Sequence, residues 1–191
     1  NSRRLQFKSE AKDVMGAMAA RGGGLGAIGI VAGALLLLSI PCSAADALPA
    51  APGAPILVVQ GAIAVTNLDG KAVFDLATLQ SLPRVSLTTE TPWTDGEVHF
   101  EGVRVRDLLA RLGAEGRSVL ATGIDEYRIV RPRADGQDDV VIIAYAEDGR
   151  LLRPDNKGPL WIVYPFSANP GLKKDIYFAR SIWQLTGLTV Q

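Results

Sequence analysis

Five groups of residues in this sequence have the types and spacing to do chemistry. Trp93-Thr94-Asp95-Gly96 sets an indole beside a flexible turn, which offers a flat apolar wall to a ligand. The plainer reading is an indole that covers the core next to a turn. Arg104 and Arg106 alternate along the chain and could hold an anion, or could snorkel over apolar neighbours as a solvated face. Asp125, Glu126, Tyr127 and Arg128 form a polar cluster. A carboxylate beside a phenol suits proton transfer, whereas Asp as turn former and Tyr packed inward is the structural alternative. Lys157, in a polar loop ahead of Gly158-Pro159, could meet an anionic group or simply be solvated. Arg180 interrupts an apolar stretch, so it would lie buried or line a pocket and would need a partner.

Composition narrows the chemistry. The chain has one cysteine, Cys42, and one histidine, His99. A disulfide within the chain is impossible, and a zinc site of Cys and His needs three or four such ligands. His99 sits in an alternating pattern and reads as an ordinary exposed or cross-strand residue. The formal net charge is zero, and from Leu48 onward 15 basic residues face 17 acidic ones, a net of −2. Such a balance leaves no electrostatic footprint for nucleic acid or for an anionic membrane surface.

The elements that would position these residues are short. Residues 56–60 read as a first strand continuing in β-prone character through 62–66, and Asp69-Gly70 signals a hairpin into 71–74. Asp75 can cap a short helix over 76–81. Strands are expected at 85–91 and, beyond the turn Asp95-Gly96, at 98–103 with a kink or bulge near Gly102. Val105, Leu108, Leu109 and Leu112 give a helical stripe ended by Gly113. Residues 118–122 and 127–130 read as strands around a turn, and 132–139 as a polar loop. Residues 140–145 (VVIIAY) are the most apolar strand and so a central one, and 160–164 (LWIVY) are a second buried strand. A helical turn within 176–183 and an alternating strand over 184–190 complete the pattern. Many short strands, short helices and no βαβ rhythm predict an α+β, sheet-dominated domain.

The N-terminus is organised differently. Residues 25–40 form an uncharged apolar run, with Arg21 before it and small residues after it, the order of a secretory signal. Sixteen residues fall short of the ~20 of a comfortable membrane span, so cleavage near Ala44 or Ala47 is expected. Arg3-Arg4 also permits a twin-arginine leader, the route for folded, cofactor-loaded proteins. The expected division is residues 1–47 as basic region and signal peptide, 48–55 as a Pro/Ala linker with nothing to bury, and 56–191 as the domain. The expected location is periplasmic or secreted.

Several phrases in order carry a family resemblance. They are Thr91-Pro92-Trp93-Thr94-Asp95-Gly96, Phe100-Glu101-Gly102-Val103 with Arg106-Asp107-Leu108-Leu109, Asp125-Glu126-Tyr127, Lys157-Gly158-Pro159-Leu160-Trp161, and Arg180-Ser181-Ile182-Trp183. From Ile56 to Val190 the chain resembles the oxidoreductase molybdopterin-binding domain, of the sulfite oxidase type, in its short exported form. The resemblance implies a mixed α/β domain of layered sheets and a molybdenum held by a pterin dithiolene and one protein cysteine. In the family that cysteine lies around the positions filled here by Thr88, Thr89, Glu90 and Thr91, and no cysteine occurs from Leu48 to Gln191. A hydroxyl is a far poorer ligand for such a centre than a thiolate. The expectation is therefore a non-catalytic module that binds a small anionic ligand or an exported or membrane partner protein. Its alternative is a molybdopterin-dependent oxidoreductase with a non-cysteine ligand. The residues expected around the cofactor or ligand are Thr89, Glu90, Trp93, Asp95, Arg104, Tyr127, Lys157 and Arg180.

Overall fold

The computed structural model describes residues 47–135 and 140–191. Arg3-Arg4, the apolar run 25–40, Cys42 and the cleavage position at Ala44 lie outside the described residues.

Local chemistry sets the first elements. Strand β1 (Leu57–Gly61) pairs antiparallel with β2 (Ala72–Phe74). The turn that leads into β2 holds Asp69 and Gly70 at φ of +45° and +74°, the left-handed pair that an Asp-Gly turn supplies at low cost. Residues 62–66, expected to extend the strand, do not. The amides of Ala64 and Val65 donate instead to the Leu112 carbonyl, so a helix end takes the hydrogen bonds that a sheet would have used. Helix α1 (Leu76–Gln80) opens on Asp75, whose carboxylate accepts from Thr78 N and Gly53 N, both at 2.7 Å. The segment 48–55 is thus no free linker. Gly53 donates to Asp75, and Leu48 is buried in the core.

That cap predicts a pH dependence. The Thr78 amide, followed by the Thr78 side chain and the Gly53 amide, holds the Asp75 carboxyl below its ordinary value of 3.8. A lowered folded value contributes stability that is fully present above pH 3.8 and is lost as pH falls through the folded value. Asp75→Asn should therefore flatten the fall of Tm between about pH 5 and about pH 2. Parallel Tm curves for the two proteins would show that the cap carries no such linkage.

Strand β3 (Arg84–Glu90) runs antiparallel to β4 (Glu97–Arg104). The expected bulge is present, with register shifting between Glu101 and Gly102 where β4 meets β7 (Ile142–Glu147). A Cβ on Gly102 would fall on the Ile143 carbonyl oxygen and 2.7 Å from Ala144 Cα, so the two backbones approach as only glycine allows. Helix α2 (Val105–Arg111) buries Val105, Leu108 and Leu109. Strands β5 (Ser118–Gly123) and β6 (Arg128–Pro132) are antiparallel. After β7 come β8 (Arg150–Leu151), β9 (Trp161–Val163), a 3-10 turn at Pro170–Leu172, α3 (Asp175–Arg180) and β10 (Leu185–Val190).

Two five-stranded sheets result. The first has the order β2-β1-β10-β5-β6, with β1 and β10 parallel. The second has β3-β4-β7-β8, with β9 also on β7. The main core includes Ile143 and Tyr145 of β7 with Ile162 of β9 and the apolar face of α2. A smaller cluster takes the alternate residues, Ile142, Ala144, Trp161 and Val163, with Phe100 and the half-buried Trp93. Both faces of β7 and β9 are covered, which is why these strands read as unbroken apolar runs.

Candidate functional site

Three segments converge beside the smaller cluster. The first is the turn after β3. Thr94 Oγ1 accepts from Thr91 N at 2.9 Å, Thr94 N donates to Thr91 O at 3.2 Å, and Trp93 N donates to Thr91 Oγ1 at 3.2 Å. This lattice fixes the backbone beneath the Trp93 indole. The second is the β5–β6 turn, where Asp125 Oδ1 accepts from Tyr127 N at 3.1 Å and Glu126 takes φ of +63°. The third is α3 with the residues after it. Tyr127 Oη donates to Ala179 O at 3.4 Å, and Trp161 Nε1 donates to Ser181 O at 3.1 Å.

Between them lies a pocket of about 310 Å³ lined by Trp93, Asp125, Tyr127, Phe178, Ala179, Ser181, Ile182 and Trp183. Trp93 meets Trp183 at 5.3 Å and 87°, Phe178 at 6.2 Å and 84°, and Trp161 at 6.0 Å and 68°. Its indole is therefore both the edge of a packed cluster and a wall of the pocket, so the two readings of Trp93 are both met.

Residues 62–171 match the family described as the oxidoreductase molybdopterin binding domain. The chain belongs to that family. Among curated proteins, none matches it. As a molybdopterin-binding-domain protein, it can be compared with its family at the four positions that end β3.

Each of those four side chains has a partner. Thr88 Oγ1 lies 3.1 Å from His99 Nδ1 across the β3–β4 pair, so His99 is the exposed cross-strand residue expected of it. Thr89 is fully buried, and its Oγ1 accepts from Ser167 N at 3.0 Å. Glu90 forms an ion pair with Lys173, while its amide donates to Ser167 Oγ at 2.9 Å. Thr91 holds the turn already described. Glu90, Lys173, Thr91, Pro92, Phe166 and Phe178 line a second pocket of about 250 Å³.

The other expected residues disperse. Asp95 and Lys157 share a shallow groove with Trp93, where Lys157 Nζ stands 5.4 Å from the centre of the Trp161 ring. Arg104 lies beside α2, 3.9 Å from Asp107, and its Nε is buried without a hydrogen bond among the described residues. Arg106 also meets Asp107, at 3.4 Å. Trp93 and Tyr127 are the two that share the aromatic pocket.

Arg180 is partly buried and has the partner it was expected to need. Its Nη1 donates to Asp135 Oδ2 at 2.7 Å, with side chains 15% and 13% exposed. Arg131, 1% exposed, donates from Nη2 to the Asp135 carbonyl at 2.8 Å and from Nε to Tyr164 Oη at 3.4 Å. Burial pushes the Tyr164 phenol above its usual 10.0, and Arg131 opposes part of that rise. Sequence reasoning missed Phe178, Ser167, Lys173, Arg131 and Asp135 as members of these clusters. Arg131 alone carried a signal, as a charge in the β-prone run Ile129-Val130 of β6.

Proposed function

We propose that this protein is a redox-silent member of its family, exported from the cytoplasm, that binds a small molecule in the pocket beside Trp93. The observation that carries this reading is the commitment of Thr88, Thr89, Glu90 and Thr91 to partners within the protein. A thiolate-held molybdenum has no thiol in residues 48–191. Four cations near these segments are engaged within the protein: Lys173 with Glu90, Arg180 with Asp135, Arg104 with Asp107, and Lys157 over Trp161. These residues do not fit the family's cofactor. The pocket beside Trp93 has the apolar walls and few polar groups of a small-molecule site, and its volume lies at the low end of the ~300–1,000 Å³ such sites span. The apolar run before the domain, ended by small residues, supports export.

The test is molybdenum and pterin content after expression in a host that makes the cofactor, with purification from the exported fraction. The expected result is a folded protein with neither. Stoichiometric metal and pterin would overturn the reading and direct attention to Glu90 as ligand. Cysteine placed in turn at positions 88–91 gives a second measurement. Thr89→Cys is expected to remain metal-free and to lower stability by about 1 kcal/mol, because the partly buried Ser167 amide loses its acceptor. Tight molybdenum uptake by any of the four variants would show that a pterin site survives.

A further inference from the structure

We propose that the pocket beside Trp93 selects an organic cation, such as a trimethylammonium group; this rests on the reading above of the pocket as a ligand site. Trp93 stands at right angles to both Trp183 and Phe178, at 5.3 and 6.2 Å. In each pair the edge of one ring meets the face of the other, and Trp93, Tyr127, Phe178 and Trp183 together give the pocket four aromatic walls. The faces of aromatic rings attract cations and repel anions. Asp125 at the exposed turn adds a carboxylate, and among the described residues no Lys or Arg lines the pocket. This proposal therefore replaces the anionic ligand expected from the sequence with a cationic one.

One indole of this cluster already holds a cation within the protein. Lys157 Nζ lies 5.4 Å from the Trp161 ring, which in turn contacts Trp93. Arg180 is paired with Asp135, so the two charges largely offset each other. Trp183 is 39% exposed, so a guest reaches it without opening the core.

The test titrates the full domain with choline chloride and with 3,3-dimethyl-1-butanol, the neutral molecule of the same shape. Indole fluorescence and calorimetry report binding, and sodium chloride controls for salt. Choline is expected to bind about tenfold tighter than the alcohol. Trp183→Leu is expected to weaken choline about tenfold, and Asp125→Asn about threefold. Both residues are exposed, and a thermal melt confirms that the variants fold. Equal or tighter binding of the neutral alcohol, no binding of choline, or choline affinity unchanged in Trp183→Leu would each overturn the cation proposal. None of these results bears on metal content, so the redox-silent reading stands or falls separately.

Discussion

Trp161→Ala is expected to cost about 3–5 kcal/mol, the range for deleting a fully buried large aromatic. Trp161 has no exposed surface. It packs edge-to-face on Phe100 at 5.2 Å and touches Trp93 at 6.0 Å, so its loss leaves a cavity between two sequence-distant rings. Its Nε1 donor to Ser181 O is lost as well, which leaves that carbonyl to find water. Denaturant unfolding should show a lower midpoint with an unchanged slope. Trp161→Phe should recover about half of the loss, because it restores the ring and not the donor. A cost below about 1 kcal/mol would mean that the smaller cluster collapses around the gap. Since Trp93 leans on Trp161, the alanine variant should also weaken whatever fills the pocket.

Asp135→Ala is expected to cost about 3 kcal/mol, although the pair sits close to the surface. Arg180 would keep its charge in a site 15% exposed, and its Nε is buried without a partner among the described residues even in the intact protein. Removing the carboxylate strands that charge beside another buried guanidinium, that of Arg131. The double variant Asp135→Leu, Arg180→Met should be far closer to the parent, because neither charge is then left alone. A double-mutant cycle measures the coupling. If the cost of the double variant equals the sum of the two single costs, the pair is not coupled and the argument from burial fails.

What was legible in the sequence was local. Asp69-Gly70 announced its turn, because left-handed backbone at two successive positions is easiest for those residues. Asp75 announced its helix, and the unbroken apolar runs of β7 and β9 announced burial on both faces. Gly102 marked the bulge. What was not legible depended on distant partners. Residues 62–66 have strand composition, but the Leu112 carbonyl, forty-odd positions away, takes their amides. Arg180 was known to need a partner, yet nothing in the sequence named Asp135. Trp93 was picked out for its turn, while Phe178 and Trp183 were placed only within the helical turn expected at 176–183, and the fold brings all three together. The site is therefore an outcome of topology more than of any motif.

The parallel pairing of β1 and β10 has a consequence for how the molecule assembles. Val58 pairs with Gly187, and β10 lies between β1 and β5 in the middle of its sheet. Closing so long a loop is entropically slow, so this rung should be among the late ones to form. Until it does, β1 and β5 each present a bare edge that a second unfinished chain can join. The vulnerable species is thus a half-built sheet with a missing centre. Conditions that stall it there should yield aggregates, while the finished protein stays dispersed.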